Sequence, residues 1–209
     1  MRNDRFFGAL IGCILCLSLA SCRAQKGQEP EQGALVCAIG VDPDPAGVRL
    51  SLEILVPREG SGSELRVLSA AGETAASAFE AARGDFPREL LFGHCAIFVI
   101  GDGISDTVLS GLLTDEELPP EMQAVTAPDA RTLLCAGGQS APAAGYDLQA
   151  ILAGTPGVRC RVYELLRDGS GRIRADRLPH FEEAPKESGK RFVLRIPQGG
   201  SQQTGEGGD

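Results

Sequence analysis

The residues best placed for a defined chemistry are Leu19-Ala20-Ser21-Cys22. An aliphatic residue, two small residues and a cysteine close an apolar run, Phe6 to Leu19, that follows Arg2 and Arg5 and is interrupted by Gly8, Gly12 and Ser18. A basic start, an apolar middle too short for a comfortable membrane span and a small-residue end make an export signal. Small side chains at Ala20 and Ser21 suit a peptidase with a narrow cleft, and a thiol directly after the cut can be alkylated by a diacylglycerol. Residues 1–21 are therefore expected to be a lipoprotein signal peptide, with Cys22 the lipidated first residue of the mature chain. Each buried methylene contributes about 0.8 kcal/mol, so two acyl chains give lasting attachment where one is marginal. A chain so anchored sits on the outer face of a cytoplasmic membrane.

Other chemistry-bearing residues are less well arranged. The only histidines, His94 and His180, stand far apart and neither has ligand spacing to Cys, Asp or Glu, so no zinc site and no cofactor are expected. His94 follows Phe92-Gly93 just before a strongly apolar run, and the reading for it is structural, an imidazole hydrogen bond that caps the start of a strand. Gly200 to Gly205 has the glycine spacing of a phosphate loop, but Glu206-Gly207 stands where Lys-Ser/Thr is required. Asp115-Glu116-Glu117 lacks the alternating oxygen ligands of a calcium loop and reads as solvated carboxylates. Ser110 and Ser140 lack the glycine flanks of a nucleophile elbow. No catalytic set emerges, and the chain is expected not to be an enzyme.

Composition agrees with an interaction protein. Hydrophobic residues make up 43% of 209, enough for a substantial core. The formal charge is -8, and Arg2 and Arg5 against Asp4 leave with the signal, so the remainder is more acidic still. That excludes nucleic acid and argues against an anionic lipid surface as electrostatic partner. Trp is absent, and two tyrosines leave few platforms for stacking sugars or bases. Of seven cysteines, Cys37, Cys95, Cys135 and Cys160 lie in the domain, widely separated among apolar or small neighbours, and read as buried hydrophobes rather than a disulfide framework.

The elements follow from periodicity. Residues 22–33 carry the lipidated cysteine and a polar stretch that reads as a flexible tether. Ala34 opens the domain. Leu35 to Val41 is an almost unbroken apolar strand of the kind buried on both faces, and Asp42-Pro43-Asp44-Pro45-Ala46-Gly47 is a turn. Val48, Leu50, Leu52, Ile54 and Val56 alternate with Arg49, Ser51 and Glu53, which predicts a hairpin partner with one wet face. Leu65 and Val67 suggest a third, shorter strand. Thr74 is an N-cap for a helix carrying Ala75, Ala78, Phe79 and Ala82, stopped by Gly84 and Pro87. Cys95 to Ile100 reads as a central strand, and Ile104, Val108, Leu109, Leu112 and Leu113 line a second helix. Met122 to Thr126 predicts a strand. Helices follow with Ala130, Leu133 and Leu134, then Leu148, Ile151 and Leu152, then Val162, Leu165 and Leu166. Phe192 to Ile196 is a last strand, and residues 198–209 read as a disordered tail. Residues 34–197 are expected to form one α+β domain, a mixed sheet packed by several helices.

The order of these motifs carries a resemblance. The Leu19 to Cys22 box, the strand end Ala38-Ile39-Gly40-Val41-Asp42, the helix start Gly72-x-Thr74 with Ala78 and Ala81, Pro87-Arg88 through Phe92-Gly93-His94, Val99-Ile100-Gly101-Asp102 and the acidic Asp115-Glu116-Glu117 follow one another as in a known family. From Cys22 to about Pro179 the chain resembles the N-terminal domain of the Ger(x)C family, the lipoprotein C subunit of nutrient germinant receptors in spore-forming Gram-positive bacteria. The resemblance implies an α+β lipoprotein on the outer face of the spore's inner membrane, working beside integral membrane A and B subunits so that nutrient signals trigger germination. It marks Pro87, Arg88, Phe92, Gly93 and His94 as a motif for partner docking or structure. Arg23 stands where family members usually carry Trp, Thr114 where an Arg is common, and usual members are longer, with further domains. A solute-binding lipoprotein of a transport system is the alternative, and an exported hydrolase a third; the first needs a two-lobed cleft, the second a convergent acid, base or nucleophile set.

Overall fold

Two carboxylates that the sequence places at a turn and on a wet strand face are buried, and the layers around them explain why. The computed structural model describes residues 33–58, 62–115, 118–119, 121–136, 142–156, 158, 160–163, 177–184 and 191–197. The expected signal peptide, Cys22, most of the tether, Asp115-Glu116-Glu117 apart from its first backbone position, and the C-terminal tail lie outside these residues or their described side chains.

Among the described residues the strands are β1 (Gly33–Asp44), β2 (Gly47–Pro57), β3 (Ser63–Gly72), β4 (Glu89–Leu91), β5 (Ile97–Gly101), β6 (Gln123–Ala127), β7 (His180–Glu183) and β8 (Phe192–Arg195). The helices are α1 (Ala75–Asp85), α2 (Asp106–Asp115), α3 (Ala130–Cys135) and α4 (Ala144–Ala153). The sheet runs β3-β2-β1-β5-β6-β7-β8, with β4 also paired to β1. The β1–β2, β2–β3 and β7–β8 pairs are antiparallel; β1–β4, β1–β5, β5–β6 and β6–β7 are parallel. This is a mixed sheet with helices on both faces, the α+β architecture that the periodicities predict.

The β1–β2 hairpin is tighter than the six-residue turn expected. Pro43 still pairs with Val48 and Asp44 with Gly47, because β5 stops pairing at Val41 and β1 is an edge beyond it, where a proline without an N–H is tolerated. Gly47 turns the chain at φ +127°, and a Cβ there would lie 2.6 Å from the Glu73 carbonyl oxygen. Strand β3, at 10 residues the shortest of the first three, pairs with β2 along its whole length, unbroken from Val48↔Gly72 to Pro57↔Ser63.

Helix α1 forms as predicted. Thr74 accepts from the Ser77 N–H at 3.2 Å while Ser77 Oγ accepts from the Thr74 N–H at 3.0 Å, a reciprocal cap that satisfies two otherwise free donors. Ala75, Ala78, Phe79 and Ala82 bury its face on β2 and β3, beside α2, over Leu50, Leu52 and Ile54. The opposite face of β2 is not wet. Helices α3 and α4 lie over it, so Ser51 and Glu53 are fully buried and Arg49 is half-buried. Backbones approach closely there: a Cβ at Gly40 would meet Ala130 at 3.0 Å, and one at Gly145 would meet Ala38 at 2.9 Å.

None of Cys37, Cys95, Cys135 and Cys160 is in a disulfide; Cys37, Cys95 and Cys160 are buried as expected, whereas Cys135, the last residue of α3, is exposed, which corrects the expectation for it. Cys37 is the extra residue of a bulge in β1, between Val36↔Ile54 and Ala38↔Glu53. Of the expected helix with Val162, Leu165 and Leu166, only the start at Val162 is described. No helix among the described residues is long and apolar enough to cross a membrane.

Candidate functional site

The segment singled out from sequence is a break in a strand. Strands β4 and β5 run along the same edge of β1, Gly33 facing Glu89 and Ala38 facing Ile97, so the β4–β5 side spends three residues more than β1 does. Those residues, Phe92-Gly93-His94, leave the sheet as one 3-10 turn closed by the Cys95 N–H donating to the Phe92 carbonyl at 2.8 Å. The ladder resumes where the Ala96 N–H reaches the Cys37 carbonyl at 3.0 Å.

Within that turn the five motif residues take different parts. Phe92 points inward, its ring 5.7 Å from that of Phe79 edge-on, with the Arg83 guanidinium 5.8 Å from both centroids. Arg88 donates to the Pro57 carbonyl at 3.0 Å and ties the segment to the end of β2. Pro87, Gly93 and His94 are exposed. The imidazole of His94 makes no hydrogen bond to a described residue, which corrects the expectation that it caps the strand. Backbone closure of the turn and the Phe92–Phe79 contact do that work, leaving His94 and Gly93 as a protruding surface. A Cβ at Gly93 would meet nothing within 4 Å, so this glycine answers no steric need inside the domain.

Sequence reasoning gave Asp42 only as the end of a strand motif and Glu53 only as a residue of a wet strand face. Asp42, at the end of β1, accepts the Ala130 N–H at 2.7 Å and the Arg131 N–H at 3.0 Å. Glu53, mid-strand in β2, accepts the N–H groups of Ala144 and, at 2.8 Å, Gly145. Each carboxylate thus meets the first two free donors of a helix, where the helix dipole also favours negative charge. For α4 the carboxylate replaces a side-chain cap, since Ala143 has none to offer. Burial pushes both carboxyls above their usual range, against the pull of those N–H bonds. Gly101 belongs to the same arrangement: a Cβ there would fall 2.0 Å from Asp42 Oδ1. The strand ends Gly40-Val41-Asp42 and Ile100-Gly101 are therefore one structural unit. The signal available was an acid ending an apolar strand.

His180 was set aside on spacing, yet it has a defined setting. Thr126 Oγ1 lies 3.0 Å from His180 Nδ1 and 3.4 Å from the Pro179 carbonyl oxygen, and His180 Nε2 lies 3.6 Å from Glu182 Oε1. The hydroxyl belongs to a residue 7% exposed, so the line of hydroxyl, imidazole and carboxylate locks β7 onto β6 rather than presenting a nucleophile. A shallow cleft of about 380 Å³ opens beside it, lined by Asp102, Leu178, Arg195 and Ile196. Among the described residues no three His, Cys, Asp or Glu side chains converge as metal ligands.

The model of one family, the spore germination protein N-terminal domain, matches residues 26–154. The chain belongs to that family. No curated protein and no solved structure matches it at a significant level. The matched span ends just after α4, so the spore germination domain holds the β3-β2-β1-β5-β6 core, both buried carboxylates and the Phe92–His94 turn, while β7 and β8 come after it. Membership assigns the chain a role connected with spore germination.

Proposed function

We propose that the chain is a non-catalytic, lipid-anchored subunit of a spore nutrient germinant receptor. Diacylglycerol on Cys22 holds it on the outer face of the cytoplasmic membrane, the inner membrane of the spore, and the domain docks on the integral A and B subunits. The observation that carries this reading is the Phe92–His94 turn, in a chain of the germination family. Three residues leave an otherwise continuous strand edge, Phe92 fixes the turn from inside, and Gly93 and His94 are exposed, the His94 imidazole making no hydrogen bond to a described residue. An exposed turn that carries an imidazole suits docking, and confinement at a membrane raises effective concentration so that a small contact suffices.

A photoreactive residue at position 94 is expected to cross-link to an integral membrane subunit in spore membranes, and one replacing exposed Ile196 is not. Cys22→Ala is expected to release the chain from the membrane fraction. Absence of the position-94 product, with the chain still membrane-bound, overturns the docking surface; a Cys22→Ala chain equally lipid-labelled and membrane-bound overturns the anchor.

A further inference from the structure

We propose that the end of the sheet where the chain enters the fold seats directly on the lipid bilayer through a row of four leucines. This rests on the lipid-anchor reading above and adds an orientation to it. Leu35 pairs with Leu91 of β4 on one side and with Leu55 of β2 on the other, and Leu55 pairs with Leu65 of β3. Directly opposed residues share a face, so the four form one line across neighbouring strands, about 14 Å long at ~4.8 Å per strand. All four are half-buried and none packs against the main apolar core.

The Cys37 bulge makes this row. Leu55 and Glu53 point to the same face, and the extra residue puts Leu35 on that face together with Ala38, three positions on. Helix α4 covers the next rung, Gly145 against Ala38 and Ala144 on Glu53, and its first residues stop there. Among the described residues the α4 backbone thus begins one rung short of the leucines, with the exposed Tyr146 of its first turn reaching Cys37 beside them. Arg88, bonded to the Pro57 carbonyl, and the exposed Arg58 and Arg66 stand at the same end of the sheet, against Glu64 and Glu89.

What identifies the bilayer as occupant is where the chain enters. A Cβ at Gly33 would lie 2.5 Å from Leu91 Cδ1, so the first residue of β1 packs on the end of the row. Cys22 is eleven residue steps away, at most about 40 Å extended, with a root-mean-square span of roughly 18 Å as a flexible chain. An acyl anchor therefore holds this end of the sheet against the membrane, and the effective concentration so created lets a small apolar row stay seated.

The chain has no Trp, so a single introduced one reports alone. Lipidated full chain carrying Leu65→Trp, in vesicles of phosphatidylglycerol and phosphatidylethanolamine with brominated acyl chains, is expected to lose roughly half its emission, since a seated side chain lies within about 5–10 Å of the headgroup–acyl boundary. Ile196→Trp, after β8 at the opposite edge of the sheet, is expected to lose none. Leu55→Trp repeats the measurement should the first variant fold poorly. Unquenched Leu65→Trp and Leu55→Trp on chain that floats with the vesicles overturn the seating and leave the anchor intact. Chain that does not float overturns the anchor, and the seating with it. Emission that ignores bromine but shifts with protein concentration assigns the row to a second copy and also overturns it.

Discussion

Asp42 and Glu53 stand on neighbouring antiparallel strands, point to the same face of the sheet and each receive the first two N–H groups of a different helix. The two carboxylates therefore fix α3 and α4 over the half of the sheet that alternation leaves polar. Removing one leaves two buried donors without acceptors, and each orphan costs about 1–3 kcal/mol. Glu53→Ala is expected to destabilise the domain by about 3 kcal/mol, seen as a lower urea midpoint at unchanged slope. Glu64→Ala, at a half-buried carboxylate on the edge strand β3 between Arg58 and Arg66, is expected to move the midpoint far less. Equal midpoints for the two variants would mean that Glu53 holds nothing.

The same burial gives these groups a defined pH signature. Desolvation raises the carboxyl pKa of Glu53 and of Asp42 above the unfolded values, so the native state holds these protons more tightly. Their contribution is fully present below the unfolded pKa, about 4 for such carboxyls, and declines as pH rises through the folded pKa. Glu64 runs the other way: hydrogen bonds from Arg66 and Arg58 hold it down to about 2, so its contribution is present above the unfolded value and lost as pH falls toward the folded one. The stability difference between wild type and Glu53→Gln is expected to shrink as pH rises from about 4, and denaturant titrations at stepped pH read it. A difference that grows over that range would contradict the assignment.

Gly101 exists for the sake of Asp42. A methyl at this position would overlap the carboxylate that α3 needs, so Gly101→Ala forces Asp42 off the Ala130 and Arg131 donors or shifts β5. The expected loss is about 2 kcal/mol, in the range for overpacking and broken buried bonds. In a double-mutant cycle the two changes share one mechanism, so Gly101→Ala with Asp42→Ala is expected to cost at least about 0.5 kcal/mol less than the sum of the singles. Strict additivity would separate the two residues.

Much of this was legible in sequence, for reasons that differ by element. Apolar continuity located β1 and β5, and Thr74 with Ala75, Ala78, Phe79 and Ala82 located α1 and its buried face. Alternation found β2 but misjudged Glu53, because a period of two shows that the faces differ and not what covers the second one. Strands β4 and β7 were missed: each is short and carries glutamate, β4 is defined by the distant Gly33 to Leu35, and β7 pairs with the equally short β8 and meets β6 only at Thr126. Phe92-Gly93-His94 stood out as a motif, yet periodicity could not reveal a turn set between two halves of one sheet edge. The polar contact of His180 was hidden because its hydroxyl partner lies 54 positions away.

That contact joins the part of the sheet beyond the family core. Strand β7 meets β6 at one register pair, Thr126↔His180, supported by the Thr126 N–H on the Pro179 carbonyl at 2.8 Å and by the Thr126 hydroxyl. Strand β8 is held through β7 and through Arg191, which donates to the Pro142 carbonyl at 2.6 Å and to Asp147 at 2.8 Å. Thr126→Val keeps the shape and removes the hydroxyl, which is expected to loosen the β7–β8 pair by about 1 kcal/mol. Local opening is read by amide hydrogen exchange, so Phe181 and Leu194 are expected to exchange about fivefold faster while Ile39 and Val99 do not change. Acceleration spread equally over Ile39 and Val99 would show instead that β7 and β8 unfold only with the whole domain.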